Sequence, residues 1–100
     1  MGTKTLADPT TGQDTEAEPR ETGEPGFLVI CWNDPVNLMT YVTHVFQRVF
    51  GWTYQKAQQH MLEVHHKGRS ILVRESREKA EHYVHQLHQY QLHATLERDP

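Results

Sequence analysis

Phe27-Leu28-Val29-Ile30-Cys31-Trp32-Asn33-Asp34-Pro35-Val36-Asn37-Leu38-Met39 sets six consecutive apolar residues against a carboxylate and two amides. A continuous apolar run this short, ended by Asn, Asp and Pro, reads as a buried strand. Beyond it Met39, Val42, Val45, Phe46, Val49 and Phe50 recur at helical spacing as one apolar stripe, so a helix follows the strand at once. Asn37 is the expected N-cap of that helix and Gly51 its end. The stretch therefore places polar acceptors at the junction of a strand and a helix, where a cation can be held.

The remaining elements follow from the same signals. Thr53 can cap a second helix, in which Ala57, Met61, Val64 and His65 share a face; Gly68 closes it after the basic Lys67. Arg69 to Arg74 reads as a strand around Ile71-Leu72-Val73. Ser76 caps a third helix with the stripe Ala80, Tyr83, Val84, Leu87 and Tyr90, and a last strand runs from about Leu92 to Glu97. The order is β-α-α-β-α-β. Three short strands and three amphipathic helices imply an α+β fold, a small sheet whose apolar face is covered by helices.

Residues 1–25 are rich in Thr, Glu, Gly and Pro, with little that is apolar beyond Met1, Leu6, Ala7 and Ala17. Ordering such a segment gains too little burial to offset its backbone entropy, so it is expected to be a disordered N-terminal extension. That leaves residues 26–100 as one domain, whose small core should bury only about 60% of its unfolded surface. The net charge of −3 is carried by the extension, at −4, and leaves the domain at +1. A domain so close to neutrality has no electrostatic footprint for nucleic acid. No apolar run approaches the ~20 residues of a spanning helix, and Met1 to Pro25 has no signal-peptide core, so a cytoplasmic protein is expected. Cys31, the single cysteine, excludes an internal disulfide and a multi-thiolate zinc site.

Eight histidines raise the question of a metal or a catalytic base. His60-Met61-Leu62-Glu63-Val64-His65 comes close to the inverted zinc-protease motif. Val64, however, puts its two histidines five residues apart and about 140° around a helix, whereas ligands four apart share a face. His82, His85 and His88 could pinch an adventitious ion, but read more simply as a solvated face opposite Val84 and Leu87. Ser70 and Ser76 lie in no nucleophile-elbow setting, and Cys31 reads as a small core residue. No metal site or cofactor is expected.

Two further segments carry a resemblance. Met61-Leu62-Glu63-Val64-His65-His66-Lys67-Gly68-Arg69 is similar to the M-L-x-V-H-x-x-G-[KR] segment of the ClpS family of bacterial adaptors, and Leu92-His93-Ala94-Thr95-Leu96-Glu97 resembles its closing strand. With the Asn33-Asp34 strand end, the resemblance spans Phe27 to Glu97. It implies an antiparallel sheet and a protein that is not an enzyme. Such adaptors capture proteins bearing a bulky hydrophobic N-terminal residue, an N-degron, and hand them to a Clp AAA+ unfoldase, ClpA or ClpC, for degradation by ClpP.

A free α-amino group is an ammonium with three donors, so its site needs about three converging acceptors, at least one of them anionic. Alone, Asn33 and Asp34 would read as a turn pair and His65 as a histidine at the edge of the core. The resemblance makes these three the α-amino ligands. It assigns the hole for a Leu, Phe, Tyr or Trp side chain to Met39, Met61, Val64 and Leu92, with Met39 as a gate against side chains branched at Cβ. Unbranched thioethers adapt to aliphatic and aromatic guests alike. Where the family often has Asp and Thr this chain has Pro35 and Asn37, the latter a candidate contact to the peptide backbone. Glu78 matches an unfoldase-docking position, while Tyr83 stands in place of a lysine. A monomer is expected. Two other functions compete: a regulator that docks on the unfoldase without reading N-termini, and, more remotely, a histidine-based metallohydrolase.

Overall fold

A computed structural model of the chain describes residues 26–100; the expected disordered extension, residues 1–25, lies outside them. The elements are β1 (Gly26–Trp32), α1 (Met39–Phe50), α2 (Tyr54–Lys67), β2 (Arg69–Glu75), α3 (Arg77–Gln89) and β3 (Ala94–Asp99). The three strands form one antiparallel sheet in the order β2-β1-β3. The central place of β1 explains its unbroken apolar run, since it is paired on both edges and Val29, Ile30 and Cys31 are buried.

Local signals set most element ends. Thr53 accepts a hydrogen bond from the Lys56 N–H (3.2 Å) and Ser76 one from the Lys79 N–H (3.4 Å), each satisfying a donor of a helix's first turn. Gly51 and Gly68 take left-handed conformations (φ 70° and 92°) that a Cβ would disfavour, and their N–H groups close the helices onto Gln47 and Val64. Two expectations are corrected. The N-cap of α1 is Leu38, with no side-chain cap, because Asn37 is drawn into a tertiary hydrogen bond described below. And β3 begins at Ala94, since Gln91 turns into the left-handed region (φ 70°) and Leu92 bonds back to the Leu87 carbonyl (3.0 Å).

Val29 and Cys31 of β1 meet Val45 and Phe46 of α1, Ala57, Met61 and Val64 of α2, and Ala80 and Leu87 of α3 in one core. Helix α3 crosses all three strands, α2 lies along β2, and α1 rests on α2 and α3. A column of rings stitches the helices together: Tyr83 on Phe50 (4.8 Å), Phe50 on Trp52 (4.6 Å) and Trp52 on His60 (4.6 Å). Thr43, the buried polar residue of α1, returns its hydroxyl to the Met39 carbonyl one turn back (3.1 Å), which removes the penalty of an unpaired donor.

Candidate functional site

The end of β1 is fastened on both sides. Trp32 N–H donates to the His93 carbonyl and Asn33 N–H to the Gly68 carbonyl, both at 2.9 Å. The second bond joins the strand end to the C-terminus of α2, one turn beyond His65. Asp34 then folds the following loop on itself: its carboxylate accepts from the Val36 N–H (2.9 Å) and its carbonyl from the Asn37 N–H (3.2 Å).

The other side of the site is the turn between α3 and β3. Tyr41 donates its hydroxyl to the Tyr90 carbonyl (2.7 Å), and the Asn37 amide donates to the next carbonyl, that of Gln91 (3.1 Å). Two successive carbonyls of the turn are thus held from the α1 side, and Leu92 is buried behind them.

These ties enclose a cavity of about 260 Å³ lined by Asn33, Asp34, Asn37, Met39, Met61, Val64, His65 and Leu92, together with Cys31, Trp32, Pro35, Val42 and His93. Every residue expected at the α-amino site, in the apolar hole or against the peptide backbone lines this one space. Glu78 does not; it is exposed in the first turn of α3. Met61, Val64 and Leu92 are buried, Met39 is 45% exposed at the start of α1, and Asn33 and His65 stand at the surface. The walls are therefore apolar and the mouth polar. About 150 Å³ accommodates a benzene-sized guest, so the volume suits one large side chain. A second concavity, about 360 Å³, runs along the outer face of α2 past Gln59, His60, Leu62, Glu63, His66 and Lys67. It is larger but has a single apolar residue, and Lys67 and Glu63 pair across it at 3.8 Å.

Sequence reasoning missed Cys31, Trp32, Val42 and His93 as lining residues. Val42 was legible as the residue one turn after Met39 on the apolar stripe; His93 carried no signal, because only the turn after α3 brings it there. Burial, and then the Asp34 carboxylate, push the Cys31 thiol up to about 12. The thiol therefore stays protonated in the cavity lining.

The histidine clusters are used otherwise. His60 and Glu63 converge on Ser70, which lines β2: the Ser70 hydroxyl donates to Glu63 (2.5 Å), and His60 Nδ1 lies 2.8 Å from the same oxygen. The serine sits between base and acid and is 2% exposed, the reverse of a nucleophilic triad, in which the histidine is central. His88 Nε2–H donates to the Ala94 carbonyl (2.7 Å), and His82 and His85, exposed like it, lie on the same helix. Among the described residues no group of three or more His, Cys, Asp or Glu side chains is arranged to hold a metal ion.

Fold and cavity together define a small α+β domain of β-α-α-β-α-β order with an apolar hole that opens through a mouth of amide, carboxylate and imidazole groups. Residues 22–96 match the family described as ATP-dependent Clp protease adaptor protein ClpS. The chain belongs to that family. It is 46% identical to the ATP-dependent Clp protease adapter protein ClpS of Streptomyces coelicolor, over 84% of this chain and 97% of the relative. Identity to the Nocardia farcinica protein of the same name is 44%, over 79% of this chain and 74% of that one. The structure of Agrobacterium tumefaciens ClpS2 bound to L-phenylalaninamide shares the fold, with a TM-score of 0.71 at 22% identity over 75% of this chain and 98% of that one. No helix of the described residues is long and apolar enough to cross a membrane.

Proposed function

We propose that this Clp protease adaptor captures proteins through a free, bulky hydrophobic N-terminal residue and passes them to a Clp AAA+ unfoldase, ClpA or ClpC. Asn33, Asp34 and His65 take the α-amino group, directly or through water. Met39, Met61, Val64 and Leu92 receive a Leu, Phe, Tyr or Trp side chain. The amide nitrogen of Asn37 is committed to the Gln91 carbonyl, which leaves its oxygen to accept an N–H of the peptide backbone. Glu78, exposed on α3, belongs to the surface that docks on the unfoldase. The protein works as a cytoplasmic monomer without cofactor, and it binds rather than catalyses.

The observation that carries this reading is the single cavity in which the α-amino, apolar and backbone-contacting residues, drawn from three separate stretches of chain, meet. Cys31, the thiol in its lining, is pushed up to about 12 and so does not supply a nucleophilic thiolate. The experiment compares a fluorescent Phe-initiated peptide with its N-acetylated twin. The free peptide is expected to bind and the acetylated one not, because acetylation removes the cation and leaves the Asp34 carboxylate uncompensated. Equal affinity for the two overturns the reading.

A further inference from the structure

Val36 and Leu38 are the most exposed large apolar side chains among the described residues, at 85% and 73%. They contribute little to the core, yet they are held in fixed positions. Pro35 restricts the loop's φ, Asp34 binds the Val36 N–H and, through its carbonyl, the Asn37 N–H, and the Asn37 amide is tied to Gln91. Along this loop the residues alternate: Pro35, Asn37 and Met39 line the cavity, while Val36 and Leu38 are not among its walls. An apolar pair on a pinned loop beside a binding mouth is ordered before any ligand arrives, so contact with it costs little loop entropy.

We infer that Val36 and Leu38 form a second subsite, which receives the side chain following the N-terminal residue and favours an apolar one. The inference rests on the adaptor reading above. A residue advances the chain by at most about 3.6 Å, so when the first side chain fills the cavity, the second residue lies over its rim. That rim has two chemically different sides. The α2 side carries His65, and the loop carries Val36 and Leu38 on either side of the lining residue Asn37 and next to the half-exposed Met39. Exposed apolar side chains flank the cavity's lining residues along the loop, at Val36, Leu38 and Met39. With Pro35 in the loop, no carboxylate follows Asp34 there to attract a basic second residue.

The test measures Kd by fluorescence anisotropy for peptides that begin Phe-Leu, Phe-Gly, Phe-Asp and Phe-Lys and are otherwise identical, using the full chain and its Val36→Ser/Leu38→Ser variant. Burying half of a leucine side chain corresponds to about fivefold in Kd, so Phe-Leu is expected to bind about fivefold more tightly than Phe-Gly. In the variant that advantage should fall below twofold, with the Phe-Gly affinity unchanged. The variant should fold, because Val36 is exposed and serine is favoured at the N-cap position that Leu38 occupies. Phe-Leu and Phe-Gly binding equally well, or Phe-Asp binding best, would overturn the subsite while leaving the adaptor reading intact. So would a variant that binds all four peptides like the wild type but no longer docks on the unfoldase, since the pair would then belong to that partner. Failure of every Phe-initiated peptide to bind overturns the adaptor reading itself, and the subsite with it.

Discussion

Asp34 has two tasks that one substitution can separate. Its carboxylate accepts the Val36 N–H at 2.9 Å and so shapes the loop, and it supplies the negative charge at the cavity mouth. Asparagine can still accept the Val36 N–H but carries no charge. Asp34→Asn is therefore expected to keep the wild-type melting temperature and to weaken a Phe-initiated peptide by about 2 to 5 kcal/mol, the typical loss when one partner of a buried charge contact is removed; titration calorimetry reads it. In the proposed reading Met39, 45% exposed where α1 begins, acts as a gate. Met39→Ala is expected to admit Val- and Ile-initiated peptides that the wild type refuses, because cutting back an excluding group relaxes specificity. If the variant only weakens Leu and Phe peptides in the same binding assay, Met39 is a wall.

Helix α2 and strand β2 are clasped by His60, Ser70 and Glu63, and the clasp makes stability depend on pH. Burial, with the nearby Lys56, lowers the pKa of His60 below its ordinary value of 6.5, against a smaller opposing pull from Glu63. The Ser70 hydrogen bond, foremost, lowers Glu63 below 4.5, with Lys67 and His60 adding to it. Both groups bind protons more readily unfolded than folded. Each contribution is complete above the unfolded pKa and is lost as pH falls through the folded one, first for His60 from about 6.5 and then for Glu63 from about 4.5. The melting temperature is expected to fall between about pH 7.5 and pH 5.5, and His60→Gln to flatten that fall; an unchanged slope would remove His60 as its source. Ser70→Ala, which strands both partners of a buried hydroxyl, is expected to cost about 1 to 3 kcal/mol in urea denaturation.

At the scale of the whole molecule, binding and delivery are separable. The cavity is built entirely within residues 31–93, so a chain beginning at Gly26 is expected to bind Phe-initiated peptides like the full chain. Residues 1–25 are rich in Thr, Glu, Gly and Pro and carry a charge of −4, and we propose that they serve in hand-off rather than in binding. The truncated chain is expected to bind and dock yet fail to promote degradation of a Phe-initiated substrate by the Clp protease. Full delivery by the truncated chain would make the segment a passive leader.

By itself the sequence determined what depends on neighbours a few residues apart. The element order follows from apolar periodicity, and the ends at Gly51, Thr53, Gly68 and Ser76 follow from capping chemistry that acts within one turn. The Asn33-Asp34 pair and the Met61-to-Arg69 segment identified the family and, through it, the residues that line the cavity. The tertiary structure decided what depends on distant partners. Asn37 gave up the cap of α1 because the Gln91 carbonyl, 54 residues away, competes for its amide. Leu92 became cavity wall rather than strand because the chain turns at Gln91 before β3 can pair. Ser70, unremarkable in sequence, became a buried hinge of hydrogen bonds because β2 lies under α2. Val36 and Leu38, which hydrophobicity alone would send inward, were left on the surface because the loop that carries them is tied down by its polar residues.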